Sequence, residues 1–282
     1  LKTVWITGAG GLIGSTLART APGAAHELKV VALTRDRLDL TDAAAVRSEF
    51  RRQPPQLVIH CAALSKSPAC EANPRQARNL NVGVTALLAE LAAEIPLVFL
   101  STDLVFDGRA GNYAEEAAVN PLSVYAETKA AAEQVLRANP RHLIVRTSLN
   151  GGRSPTGDRG FNEQIRRAWQ AGQTLSLFTD EFRSPISAEV TARAIWELVA
   201  QNATGVYHVA GSEKLSRWQI GRLLAARWPQ LQPRFEAASL KDHAGAPRAP
   251  DTSLNCAKAQ ARLSFRLPGL TEWLSSHPGE VF

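Results

Sequence analysis

The run TGAGGLIG at residues 7–14 limits most strictly what this chain can fold into. Gly8, Gly11 and Gly14 stand three apart, Gly10 adds a Gly-x-Gly start, and Leu12 and Ile13 complete the run. An apolar stretch, residues 2–7 (KTVWIT), precedes it and reads as a strand; a helical stretch from residue 14 to 20 follows. Glycines placed this way permit a tight turn and let backbone approach a diphosphate, whose charge a helix N-terminus favours. A glycine-rich turn that binds nothing is the competing reading, and the strand–loop–helix context weighs against it.

The rest of the first half repeats that alternation. Strands are expected at residues 28–34, 57–61, 97–101 and 142–147. Helices are expected from Thr41 or Asp42 to residue 52, over 77–94 and over 124–137, with a loop around Pro68 and Pro74. Short apolar strands separated by helices predict a Rossmann-type α/β fold, a doubly wound parallel sheet covered on both faces. After residue 147 the texture changes. A Gly/Ser/Pro-rich loop (150–160) leads to helices at 162–171, 188–201 and 217–228, strands at 174–178 and 205–210, an irregular tail over 229–250 and a last helix at 270–275. This predicts a dinucleotide-binding domain over 1–149 and a smaller, mainly substrate-binding lobe over 150–282, with segments around 174–210 returning to the first domain.

Tyr125 and Lys129 lie four apart on a predicted helix and therefore on one face. Reducing a ketone needs a proton donor beside the oxygen that gains charge. A phenol can serve if a neighbouring ammonium favours its ionised form, and such an ammonium can also hold ribose hydroxyls. The pair alone is moderately specific; its place between the fourth and fifth strands, after a glycine loop at the first, strengthens it. Ser101-Thr102-Asp103 ends the fourth strand, at the sheet edge where open α/β folds bind ligands, so a hydroxyl there can orient the reacting oxygen. About 20 residues past the last glycine, where an acidic side chain commonly holds the adenosine ribose, stand Thr34 and Arg35. Arg can pair with a 2′-phosphate, so this favours NADP(H), with NAD(H) still open because Asp36 follows.

These motifs, with STDLVFDG (101–108), YAETKAAAE (125–133), RTS (146–148), NVGVT (81–85), GVYHVA (205–210) and RAPDTSLN (248–255), resemble the extended short-chain dehydrogenase/reductases, and within them the dTDP-4-dehydrorhamnose reductase branch. The resemblance covers almost the whole chain in order. It implies Thr102, Tyr125 and Lys129 as catalytic residues. It places Gly8, Gly10, Gly11, Leu12, Ile13, Gly14, Arg35, Asp39, Leu40, Cys61, Ala62 and Ala63 at a nicotinamide dinucleotide, with Tyr125 and Lys129 also touching it. Thr102, Asp103, Arg183 and Arg248 fall on the substrate side, the two arginines as candidates for its diphosphate. The implied activity is reduction of a nucleotide-linked keto-deoxysugar. Ala126 after the tyrosine, Ser65-Lys66-Ser67 and DEFRSPI (180–186) depart from the branch pattern and leave the sugar open. Related dehydratases carry an Asp-Glu pair after the threonine; here Leu104 follows Asp103. A nucleotide-sugar epimerase stays open, as does a non-catalytic, NADP-binding regulatory subunit like that of methionine adenosyltransferase.

Composition excludes little more. A net charge of +6 without a basic run or an aromatic-and-basic pattern argues against nucleic acid, and no apolar run reaches membrane length. Three cysteines form no paired framework, and His60, Cys61 and His208 sit in apolar strands, so no metal site is assigned. The expectation is a soluble, cytoplasmic enzyme whose partner is a nucleotide sugar, with homodimerisation open.

Overall fold

The computed structural model describes residues 2–24, 28–280 and 282. In chain order the first half runs β1 (Lys2–Thr7), α1 (Leu12–Ala24), β2 (Leu28–Leu33), α2 (Ala43–Arg52), β3 (Leu57–His60), α3 (Ser67–Ala72), α4 (Pro74–Arg78), α5 (Val84–Leu91), β4 (Leu97–Thr102), α6 (Val124–Arg137) and β5 (Leu143–Thr147). The second half runs β6 (Asn150–Gly151), α7 (Phe161–Gln170), β7 (Thr174–Phe178), β8 (Phe182–Arg183), β9 (Ile186–Ser187), α8 (Ala188–Ala200), β10 (Gly205–Val209), β11 (Leu215–Ser216), α9 (Arg217–Arg227), β12 (Arg234–Ala238), α10 (Ala257–Gln260) and α11 (Leu270–Ser276).

Six strands form one parallel sheet in the order β10-β5-β4-β3-β1-β2. Helices cover both faces, so the strands read as continuous apolar runs, and alternate side chains serve opposite layers. Val4 and Ile6 join Leu17 of α1 and Ile195 of α8 in one cluster. Trp5 faces the other way, with Val46 of α2, Leu88 of α5 and Leu136 of α6. The chain steps from β1 outward to β2, then crosses back to β3 on the other side. That reversal opens a crevice at the carboxyl ends of β1 and β3, the place where doubly wound sheets bind ligands.

A further apolar cluster lies in the second half of the chain, where Trp169 packs with Ile220, Leu224, Trp228, Leu270 and Trp273. Of the 174–210 stretch, β10 lies in the central sheet and α8 packs on its face, while β7 pairs with β12 outside it. Strand β12 falls in a tail that reads as irregular, because RFEAA lacks apolar alternation and is largely exposed. The expected loop around Pro68 and Pro74 is instead two short helices. Each proline occupies a first turn, where a missing N–H costs nothing. The single helix expected over 77–94 is broken by a π-helical turn, Asn79–Gly83, and ends at Leu91. Asn81 in that turn is buried and ties three segments together: its amide donates to Leu64 O and Thr128 Oγ1 and its carbonyl accepts from Leu64 N–H.

Candidate active site

The glycine loop is built as a cradle. Gly8 has φ +68°, and a Cβ there would lie 2.6 Å from Ala62 N and 2.7 Å from the Cys61 carbonyl carbon. The backbone leaving β3 therefore lies directly against the loop, which is how Cys61, Ala62 and Ala63 come to the crevice. A Cβ on Gly14 would collide with Gly8 O, so the helix can start this close to the strand only with glycine. Gly11 N–H closes the turn on Gly8 O at 2.8 Å, and Leu12 and Ile13 begin α1. At Gly10 the nearest neighbour of an added Cβ is Thr34 Cγ2, 3.9 Å away, so backbone here borders open space. A cradle that side chains would fill, at a helix N-terminus, fits a dinucleotide diphosphate.

Arg35 and Asp36 follow β2 and are exposed. Asp39 accepts from both the N–H and the hydroxyl of Thr41, which together with Arg35 hold its carboxyl below the usual range. Leu40 packs at the edge of the cluster that contains Val31.

His60 is accounted for without a ligand. Its Nε2 is 3.1 Å from Thr85 Oγ1, whose own proton goes to Asn81 O. Nε2 must then be the donor, and Nδ1 accepts from Thr7 at 2.7 Å. Burial pushes its pKa down to about 3, so the ring stays neutral.

Thr102 and Tyr125 lie together at the carboxyl edge of the sheet, and Lys129 follows Tyr125 by one turn of α6. Thr102 is the last residue of β4; its hydroxyl accepts from Leu104 N–H at 3.2 Å and donates to Asp103 at 3.1 Å. Tyr125 lies in the first turn of α6, which Ser123 caps and Glu71 anchors by accepting Val124 N–H. Burial, then the Asp103 carboxylate and Cys70, push the phenol up, while hydrogen bonding to Thr102 works the other way. In this cofactor-free arrangement the phenol is therefore a weaker acid than a free tyrosine. The expected lowering of the phenol by Lys129 does not govern this arrangement. The Lys129 ammonium is buried, donates to Leu100 O at 2.5 Å and lies 3.8 Å from the Phe99 ring centroid. Burial pushes its own pKa down to about 7, against the raising effect of Glu133 and Cys61.

Two buried networks support this edge, and motif reading found neither. Glu133, one turn beyond Lys129, accepts from Ser101 Oγ at 2.5 Å and from Arg146 Nη2 at 2.7 Å, tying α6 to β4 and β5. Asp103 accepts from Ser148 at 2.7 Å and Thr252 at 2.9 Å and faces Arg183 Nε at 3.8 Å, tying the end of β4 to the second half of the chain. Arg183 stands differently from the sequence expectation. Its side chain is 4% exposed, and its nitrogens engage Phe182 O, Ala249 O and Glu181 as well as facing Asp103. A guanidinium so enclosed is a strut. Arg248 also pairs with Glu181 but is 36% exposed.

A parallel doubly wound sheet, a glycine cradle at its switch point and Thr102, Tyr125 and Lys129 at the same edge define a short-chain dehydrogenase/reductase. The model of the RmlD substrate binding domain family matches residues 2–277, and the chain belongs to that family. It is 34% identical over 223 residues to a dTDP-4-keto-6-deoxy-D-glucose reductase of Streptomyces niveus, covering 77% of this chain and 76% of that protein. It is 26% identical to methionine adenosyltransferase 2 subunit beta of Danio rerio, covering 92% and 84% of the two chains. The crystal structure of a hypothetical dTDP-4-dehydrorhamnose reductase from Sulfolobus tokodaii superposes with a TM-score of 0.84 at 29% identity, covering 96% of this chain and 97% of that one.

Proposed function

We propose that this protein reduces the keto group of a nucleotide-linked deoxysugar, using NADPH in preference to NADH. The observation that carries this reading is the placement of Tyr125, in the first turn of α6, beside Thr102 at the end of β4, on the sheet edge that also bears the glycine cradle. Gly8, Gly11 and Gly14 would hold the diphosphate of a reduced nicotinamide dinucleotide, which would supply a hydride. Thr102 holds the carbonyl oxygen, Tyr125 delivers a proton to it, and Lys129 anchors the ribose side of the site. Leu104 occupies the position where elimination would need a second carboxylate, which favours simple reduction.

The test is turnover of purified protein with NADPH or NADH against a panel of nucleotide-linked keto-sugars, followed as loss of reduced-cofactor absorbance. Turnover of a 4-keto-6-deoxysugar is the expected result. Similarity to the methionine adenosyltransferase subunit supports one rival. Firm cofactor binding without turnover of any keto-sugar would replace the reductase reading with that of a binding subunit.

Cofactor preference rests on the exposed guanidinium of Arg35, at the end of β2. Arg35→Ala is expected to weaken NADPH binding about tenfold, the scale of one charge-assisted hydrogen bond, and to leave NADH nearly unchanged. Titration of both cofactors checks it. A wild-type preference for NADH that survives the substitution would refute the assignment.

A further inference from the structure

Glu133 lies one turn beyond Lys129 on the buried face of α6, and its side chain is 2% exposed. The proposed proton transfer makes no use of it. Its Oε1 accepts Ser101 Oγ at 2.5 Å and Arg146 Nε at 3.0 Å, and its Oε2 accepts Arg146 Nη2 at 2.7 Å. Ser101 directly follows Leu100, whose carbonyl takes the Lys129 ammonium at 2.5 Å. The sheet register completes the arrangement, because Ser101 of β4 stands opposite Arg146 of β5. One carboxylate therefore fixes the strand residue next to the carbonyl that holds the lysine.

The charge balance gives that carboxylate a second task. Lys129 and Arg146 are both buried, so two buried cations share Glu133. A guanidinium does not give up its proton, whereas a desolvated ammonium can. Lys129 is thus the member that yields, and burial lowers it from 10.5 to about 7 against the pull of Glu133. No other carboxylate acts on it among the described residues. From β3, His60 and Cys61 face the ammonium, and burial keeps both uncharged near neutral pH, lowering the imidazole to about 3 and pushing the thiol up to about 12. Strand β4 offers the Phe99 ring and the Leu100 carbonyl. On the other segments packed against α6, Glu71 is engaged with Val124 N–H, Asp103 and Cys70 bear on Tyr125 instead, Glu90 pairs with Arg47, and Arg75 and Arg78 are exposed. Arg137 approaches Glu133 at 3.7 Å from an exposed position.

We propose that Glu133 is the positioning residue for Lys129: through Ser101 it holds the Leu100 carbonyl against the ammonium, and its charge keeps that ammonium available to the cofactor ribose. It acts only through the lysine. The inference rests on the reductase reading for the ribose that Lys129 meets, while the state of the lysine in the empty protein is independent of that reading. A buried carboxylate on the same helix face favours the charged form of the ammonium, so its removal moves the lysine's loss of a proton to lower pH. A residue that only ties α6 to β4 and β5 would leave that pH where it is.

The test is the titration of Lys129 itself. Protein carrying lysine labelled with carbon-13 at Cε gives the midpoint by nuclear magnetic resonance, the Lys129 signal being the one missing from Lys129→Met. In the cofactor-free wild type the midpoint is expected at about 7. In Glu133→Gln it is expected about one pH unit lower, the low end of what a nearby opposite charge supplies. The dissociation constant for NADPH is measured over the same range. Its rise with pH should begin about one pH unit lower in the variant, so that binding at about pH 7.5 weakens by up to roughly tenfold. The two proteins should converge below the variant's midpoint, where both lysines are charged. Ser101→Ala keeps the carboxylate and frees the strand residue beside Leu100; a smaller shift in the same direction is expected. Should Glu133→Gln fail to fold because Arg146 is left without an anion, Glu133→Gln combined with Arg146→Met removes both charges and takes its place. The same downward shift is expected there, since Arg146 bonds Glu133, Glu115 O and His208 and has no contact with Lys129 among the described residues. An unmoved Lys129 midpoint in a folded variant, with only the melting temperature lowered or with NADPH weakened equally at every pH, would make Glu133 a structural tie and overturn the proposal. The two readings fail separately. A shifted midpoint in a protein that turns over no keto-sugar sinks the reductase alone, whereas normal turnover with an unmoved midpoint sinks the positioning role alone.

Discussion

Tyr125→Phe is expected to lower turnover by roughly 10²–10⁴-fold, the usual contribution of a positioned general acid, with the dissociation constant for NADPH nearly unchanged. The substitution removes one hydroxyl and leaves the ring in the first turn of α6, so neither the glycine cradle nor the helix should move. The size of the effect follows from the state of the phenol. Burial and Asp103 raise its pKa, and Thr102 lies beside it. No other described hydroxyl combines those features beside Thr102. Ser148 donates its proton to Asp103, and Thr252 does the same. Steady-state turnover with a reducible keto-sugar, run beside a cofactor titration, separates the two effects. Activity within tenfold of wild type would remove Tyr125 from the mechanism. A parallel loss of cofactor affinity would mean that the phenol supports binding more than proton transfer.

Much of the fold was legible because the signals were local. Each central strand is a short, nearly continuous apolar run, the form a strand takes when both its faces are buried, and α6 matches its expected bounds at both ends. The cradle was legible because the reason for its glycines is steric and lies within a few residues: Gly14 against Gly8, with only Gly8 against Ala62 reaching farther. Strand β12 was not legible, since an exposed edge strand needs no apolar alternation and owes its existence to pairing with β7, about 60 residues earlier. The π-turn at Asn79–Gly83 was hidden for a similar reason. Its cause is the buried amide of Asn81 reaching Leu64 and Thr128, and no periodicity reports that.

At the site, residue identity was easier to read than residue state. Arg183 and Arg248, named from two separate segments, meet on Glu181, where burial encloses the first and leaves the second at the rim, and Arg217 joins only through the pairing of β8 with β11. Tyr125 and Lys129 share a helix face as their spacing requires. The four-residue spacing could not reveal that the ammonium turns to Leu100 O and that desolvation outweighs charge at both groups.

That outcome leads to an exchange between stability and activity at Lys129. In the cofactor-free protein burial lowers its pKa from 10.5 to about 7. Between those values the unfolded chain binds the proton and the folded chain does not, so this group makes stability rise with pH across the window. Below about 7 both states are charged and the full burial penalty applies; above about 10.5 both are neutral and it vanishes. Cys61 and Cys256, pushed up from 9.0 to about 12, act in the opposite direction at higher pH, because the unfolded thiols ionise first. Melts of the cofactor-free protein between about pH 7.5 and 8.5 therefore isolate the lysine best, because the buried His60 and His208, lowered from 6.5 to about 3, still take up protons in the unfolded chain near pH 6.5. Lys129→Met keeps the stem, removes the charge and is expected to raise the melting temperature at pH 6.5, with a flatter profile than wild type above it. The loss of a donor to Leu100 O offsets part of the gain. On the proposed role of Lys129 at the ribose, the same variant should bind NADPH more weakly and turn over at least about 10²-fold more slowly. Parallel melting profiles for variant and wild type would show that the ammonium is not the group titrating near neutrality. Undiminished turnover in a stabilised variant would detach Lys129 from catalysis.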